Sequence, residues 1–310
     1  MFDILRTSQQ EVDLITEATL QSWTGPSSAT EQEKQDRTER MIREAISKNP
    51  ALAEMAPSVY TKGSYANNTN VRSDSDVDVV VECQEVIYWR EHDPSAGGHP
   101  AFIPYAGEWT PEKLRQEVGS ALRTKFGPTS ITEGKVAWTV QSNSARVDAD
   151  VVPCFTFQYY FSDGTFREGT KVFKRDGGEV ENYPNLQLEN GRAKNRRTGL
   201  KYKRVVRILK RLENQMNNEG ICGEVPSYLL ECLIYNCPDE CFTRLTWRAV
   251  MRACLAHLFN NTMGPEPVAE AERLLEPNGA KFLFSPAQKW SRSSAHSFID
   301  AAWDYMEFDE

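Results

Sequence analysis

Between Lys62 and Cys83 the chain reads Lys-Gly-Ser-Tyr-Ala-Asn-Asn-Thr-Asn-Val-Arg-Ser-Asp-Ser-Asp-Val-Asp-Val-Val-Val-Glu-Cys, and no other stretch constrains the fold as much. Val77 to Val81 is a β-branched run that predicts a strand. Side chains alternate along a strand, so Asp76 and Asp78 share a face, about 6–7 Å apart along the chain. Two carboxylates held that close repel each other unless a cation sits between them. Hard divalent cations such as Mg²⁺ take oxygen ligands and keep positions open for substrate phosphates. Gly63 lets the backbone approach a ligand closely, and Ser64 offers a hydroxyl and an N–H to phosphate oxygens. The plain alternative is a polar turn followed by a strand with two solvated aspartates at its edge.

A second aspartate pair lies downstream. Val136–Val140 and Arg146–Val152 predict two further strands, and alternation places Asp148 and Asp150 on one face of the second. Aspartates in a buried strand are costly unless a shared metal compensates them; an edge strand at the surface is the alternative. Physics alone does not choose between Asp148 and Asp150. Asp163-Gly164 predicts a hairpin turn between Phe157–Phe161 and Thr165–Phe173.

Upstream, residues 8–50 read as helical, with capping-box spacing from Thr30 to Glu33 and an apolar stripe through Met41, Ile42, Ala45 and Ile46. Ser58–Thr61 is a short candidate strand. Residues 91–110 form a loop, and Pro111 opens a helix that Gly127 closes near Phe126. Residues 175–199 are polar and glycine-rich, a candidate lobe boundary. Beyond them the pattern is helical and holds no further strand.

Residues 191–212 contain ten Lys or Arg and no acid. Val205, Ile208, Leu209 and Leu212 form a core stripe, with Lys203, Arg207 and Lys210 on the opposite face. That face is either solvated or a clamp for a triphosphate, and which lysine touches phosphate stays open. Ser227, near a predicted helix start, suits a phosphate oxygen, and Tyr228 can stack on a base; a capping serine and a core tyrosine are the alternatives. The remainder, with Leu255, Phe259, Leu274, Leu275, Phe282, Trp290, Phe298 and Trp303, reads as helical packing.

The bounds are those of a soluble globular protein. The chain has 310 residues, 40% of them hydrophobic and 26% charged, with no apolar run long enough to span a membrane and no secretion signal at its start. Seven cysteines, an odd number, imply reduced thiols and a cytoplasmic setting. Five of them cluster between Cys222 and Cys254, but no Cys-x-x-Cys occurs, which favours buried thiols over zinc. A net charge of −8 disfavours a broad nucleic-acid surface while leaving room for a local basic groove.

Gly-Ser followed by Asp-x-Asp entering a valine strand resembles the signature of the polymerase-β-like nucleotidyltransferases. The whole assembly resembles the cGAS/DncV-like nucleotidyltransferases of bacterial anti-phage (CBASS) signalling, the CdnE branch in particular. The likeness rests on Gly63-Ser64-Tyr65, Asn67 to Arg72, Asp74 to Asp78, Arg146 to Pro153, Val206-Arg207, Leu209 to Leu212, and Pro226 to Leu229. It implies an α+β fold, a mixed-sheet core flanked by helices, with a C-terminal helical lobe and the active site in the cleft between them. The expected division is 1–195 for the core with its N-terminal helices and 196–310 for the lobe.

In those families the third carboxylate precedes a hydrophobic pair and a proline, which selects Asp150 and leaves Asp148 in support. The resemblance then implies that Asp76, Asp78 and Asp150 hold two Mg²⁺ ions, with Mn²⁺ as a substitute, for in-line displacement by a 3′-hydroxyl. Gly63, Ser64, Asn67, Ser227, Tyr228 and Lys203 or Lys210 would bind nucleotide. Asn182 matches the branch's uridine-favouring asparagine, although beside Pro184 it also suits a turn. The implied product is a cyclic dinucleotide from UTP, ATP or both: cyclic UMP-AMP, cyclic di-UMP or cyclic di-AMP. A monomer with no DNA activator and a downstream effector that reads the product is expected. Two rivals stand beside this: a template-independent transferase acting on RNA ends or a small-molecule hydroxyl, and an inactive nucleotide sensor.

Overall fold

The computed structural model describes residues 15–71, 76–92 and 104–308. The first half contains α1 (Glu17–Trp23), α2 (Ala29–Lys48), α3 (Pro50–Met55), β1 (Ser58–Lys62), α4 (Gly63–Ala66), β2 (Val77–Glu91) and α5 (Pro111–Phe126). Then come β3 (Ile131–Glu133), β4 (Trp138–Val140), β5 (Ala149–Tyr160), β6 (Phe166–Phe173) and β7 (Glu179–Asn182). The helices α6 (Pro184–Arg197), α7 (Lys201–Asn218), α8 (Ser227–Asn236), α9 (Trp247–Thr262) and α10 (Arg292–Tyr305) complete the order.

Among the described residues the strands form one mixed sheet, ordered β1–β2–β5–β4–β3, with β6 on the distal part of β5 and β7 outside β6. β2 and β5 run parallel, and the other pairs are antiparallel. The predicted Val77 strand continues to Glu91 through a register shift between Cys83 and Ile87. Its valines alternate. Val77, Val79 and Val81 are buried with Ile42 of α2 and Leu114 and Val118 of α5, each contributing about 1.5–3 kcal/mol. Asp78, Val80 and Glu82 therefore take the opposite face.

Pro153 sits inside β5, where a proline normally costs a ladder bond. It stands where the strand changes neighbours: pairing with β4 ends at Val151 and pairing with β6 begins at Phe155. The missing N–H falls in that gap.

Four expectations need correction. The helix cap lies at Ser28, not Thr30: Ser28 accepts from the Glu31 N–H while the Glu31 carboxylate takes the Ser28 N–H at 2.7 Å. Gly25-Pro26 delays the helix, so Thr30 is already in its first turn. Residues 175–199, read only as a polar candidate lobe boundary, hold β7 and α6; their polar surface hid both elements. The strand predicted at Arg146 starts at Ala149. Residues 263–291 contain no α-helix, because Gly264, Pro265, Pro267, Pro277 and Pro286 interrupt every candidate turn. Leu275 and Phe282 meet there in an isolated antiparallel bridge.

The helical core gathers α7, α8, α9 and α10. Ile15 and Leu20, at the N-terminal end of the described chain, are buried in it too, although they lie within the first 195 residues. The described cysteines are free thiols, buried except for the half-buried Cys222.

Candidate active site

Strand register assembles the site. Lys62 of β1 pairs with Asp78 of β2, Asp78 with Asp150 of β5, and Asp150 with Thr139 of β4. Residues aligned across neighbouring strands point to one face about 5 Å apart. The two aspartates thus stand side by side by backbone geometry alone. Thr139 Oγ1 donates to Asp150 Oδ1 at 2.8 Å, fixing that carboxylate.

Burial pushes the Asp78 carboxyl above its usual range; the Lys62 ammonium opposes the shift and the Asp150 charge adds to it. A divalent cation beside Asp78 would offset both the burial and the neighbouring negative charge. Asp76 is exposed at the entrance to β2, two residues before Asp78. Among the described residues no three His, Cys, Asp or Glu side chains converge into a complete metal site. The hard oxygen donors still fit Mg²⁺, with the Asp78–Asp150 pair as nucleus and Asp76 as the third carboxylate. Asp148 is used locally: its side chain accepts from the Ser142 N–H and its carbonyl from the Val77 N–H at 3.0 Å.

Gly63 explains the glycine of the motif. Its φ is +71°, and a Cβ there would lie 2.3 Å from Asp78 Oδ2. Gly63→Ala is therefore expected to push the Asp78 carboxylate off its position and to cut turnover by about a hundredfold. Steady-state kinetics alongside a thermal melt checks this; near-normal turnover would mean that Asp78 need not hold its observed place.

Lys62, Gly63 and Asp78 line a cleft of about 950 Å³ between the sheet and the helical lobe, whereas Asp76 and Asp150 are not among its lining residues. Ser64, Asp78, Asn182, Lys210, Ser227 and Tyr228 all line it. Ser227 is exposed in the first turn of α8. Tyr228 sits beside it, its hydroxyl donating to Glu276 Oε2 at 3.0 Å and its ring edge-on to Trp290 at 6.2 Å.

The structure separates the two candidate lysines. Lys210 lines the cleft, is 2% exposed, and among the described residues forms no hydrogen bond or ion pair. Burial lowers its pKa, with the Glu231 carboxylate opposing. Lys203 is half-buried and does not line the cleft. The solvated-face alternative fails for Arg207 as well, which is buried and binds the Thr24 carbonyl at 2.7 Å and the Asn68 carbonyl.

Asn67, expected to bind nucleotide, is fully buried outside the cleft lining. Its amide donates to Glu231 of α8, which also accepts from Thr69 Oγ1 at 2.8 Å and from Gln187 at 3.4 Å. Asn70 is buried too, reaching Ser27 at 2.9 Å and Gln35 at 3.2 Å. The asparagine-rich segment anchors the end of α4, the short helix that carries Ser64. Arg72 to Ser75 of the same signature lie outside the described residues.

Sequence reasoning missed the far wall of the cleft, where Glu276, Asn278, Lys281 and Gln288 stand. The Pro277-Asn278-Gly279 run, a turn signature, was its one visible sign.

Paired aspartates on a mixed sheet, facing a basic helical lobe across a cleft, define a nucleotidyltransferase. Residues 189–307 match the model of the cGAS/DncV-like nucleotidyltransferase C-terminal helical domain. The chain is 34% identical over 296 residues to a cyclic dipyrimidine nucleotide synthase CdnE of Legionella pneumophila, covering 94% of this chain and 98% of that protein. It is 32% identical over 292 residues to a cyclic UMP-AMP synthase of Rhodothermus marinus, covering 92% and 95%. The solved R. marinus CdnE c-UMP-AMP synthase with Apcpp and Upnpp superposes with a TM-score of 0.79 at 29% identity, over 93% of this chain and 95% of that one. This chain belongs to the cGAS/DncV-like nucleotidyltransferases.

Proposed function

We propose that the protein is a cyclic dinucleotide synthase that joins two nucleoside triphosphates through two phosphodiester bonds, releasing pyrophosphate each time. The observation that carries this reading is Asp78, in register with Asp150 and lining a cleft that also holds Lys210, Ser227 and Tyr228. Asp76, Asp78 and Asp150 would hold two Mg²⁺ ions. When bound, the ions would supply activation of the acceptor hydroxyl and neutralisation of the triphosphate. Lys210 and the Ser227 turn of α8 would hold phosphate oxygens, with Gly63 and Ser64 beneath them. Tyr228 would stack on a base and Asn182 would read its edge.

Two of the relatives support a pyrimidine substrate, one named a cyclic dipyrimidine nucleotide synthase and the other a cyclic UMP-AMP synthase. UTP, with ATP as a second substrate, is accordingly the proposed substrate set. The product would serve as a second messenger for an effector in anti-phage defence, with the enzyme a cytoplasmic monomer. Among the described residues no helix is long and apolar enough to cross a membrane. The same proposal sets the boundary between core and lobe near residue 195.

Product identification tests the proposal. The protein is incubated with all four NTPs and Mg²⁺ or Mn²⁺, treated with phosphatase, and the survivors are sized by mass spectrometry beside an Asp76→Ala control. A phosphatase-resistant cyclic dinucleotide absent from the control is the expected result. Linear extension of an RNA primer in its place would assign the protein to the transferases acting on RNA ends.

A further inference from the structure

Asn182 ends β7 on the wall of the cleft, and its side-chain oxygen has one fixed neighbour. Lys281 Nζ donates to Asn182 Oδ1 at 3.3 Å. An ammonium has only donors, so the amide must turn its oxygen toward Lys281; the reverse orientation would set donor against donor. The Asn182 NH₂ is then left as the group offered to a base.

Lys281 is mounted on a built turn. Asn278 Oδ1 accepts from the N–H groups of Ala280 at 2.8 Å and Lys281 at 3.2 Å, and Gly279 takes a φ of +63°. The Glu276 N–H donates to the Lys281 carbonyl at 2.9 Å, closing the loop. Buried Glu276 accepts from Asn278 at 2.7 Å and from the Tyr228 hydroxyl, which ties the turn to the proposed stacking residue. Neither Lys281 nor this turn belongs to a motif read from the sequence.

We propose that Lys281 is a positioning residue for base choice: it locks the Asn182 amide with its NH₂ toward the base, so the pocket takes a carbonyl at that edge and refuses an amino group. Uracil, with a carbonyl at its 4-position, fits; cytosine, with an amino group there, meets donor with donor. An unrestrained asparagine could flip and serve both. The inference rests on the reading that Asn182 meets a base, and it narrows a pyrimidine preference to uridine over cytidine.

The test compares wild type, Lys281→Met, Lys281→Arg, Asn182→Ser and the Lys281→Met/Asn182→Ser double variant. Two quantities are measured: kcat/KM for UTP and CTP, and the affinities of non-hydrolysable UTP and CTP analogues by calorimetry. Lys281→Met is expected to lower the UTP-to-CTP preference about tenfold, the worth of one well-made hydrogen bond. Lys281→Arg should restore most of it. In the Asn182→Ser background Lys281→Met should change the preference no further. Loss of turnover shared equally by every NTP, or a preference unchanged by Lys281→Met, would overturn the role. A wild type that makes no cyclic product yet binds the UTP analogue would remove the synthase reading while the analogue affinities still judge Lys281. Binding of neither analogue would overturn both.

Discussion

Asp78→Asn and Asp150→Asn are each expected to lower turnover by about a thousandfold or more, since a divalent ion at the reacting phosphate supplies several kcal/mol of barrier reduction. The fold should survive, because both side chains face the cleft side of the sheet while Val77, Val79, Val81 and Val151 fill the core behind them. For Asp78 the stability effect has a definite sign. Its folded-state pKa is raised by burial, so ionising it costs the metal-free protein stability as pH rises through that value. A neutral asparagine escapes this cost. Without metal, Asp78→Asn should therefore melt at or above the wild-type temperature at neutral pH, and the gap should close in acid as the wild-type carboxyl protonates. Added Mg²⁺ should raise the melting temperature of wild type far more than that of the variant. Thermal melts across pH, with and without Mg²⁺, measure all of this; a variant stabilised by Mg²⁺ as strongly as wild type would remove Asp78 from the metal site.

Glu231→Ala should be the most damaging single change to stability. The carboxylate is 2% exposed, accepts from Asn67, Thr69 and Gln187, and attracts the ammonium groups of Lys203 and Lys210. Its loss leaves buried donors and charges without a counterpart, at a cost of about 3–5 kcal/mol. Glu231 belongs to α8 and its partners Asn67 and Thr69 to the segment after α4, so the same change should loosen the lobes about the cleft. Urea titration should show a lower midpoint, and turnover should fall even where the variant remains folded. Wild-type stability for Glu231→Ala would show that the cluster does not join the two lobes.

The local parts of this protein follow from its sequence. A valine run makes a strand, Pro111 and Gly127 bound a helix, and Asp163-Gly164 turns a hairpin, because each is decided by neighbours a few residues away. The aspartates on one strand were legible for the same reason, since alternation is a property of the strand itself. The asparagines of the signature were not. Asn67 and Asn182 look alike as residue types near glycine or proline, yet one is buried against Glu231 and the other reaches the cleft. That difference is decided far along the chain, by α8 for Asn67, 164 residues away, and by the Lys281 turn for Asn182, 99 residues away. Likewise, the basic face of α7 could not be distinguished from a solvated one until other elements covered it. Local chemistry lies in the nearest few side chains, and sequence determines it. The alignment of Asp78 with Asp150, the placing of Lys210 rather than Lys203 on the cleft wall and the hydrogen bond from Lys281 to Asn182 all depend on long-range contacts. Only the closing of the sheet against the helical lobe decides them.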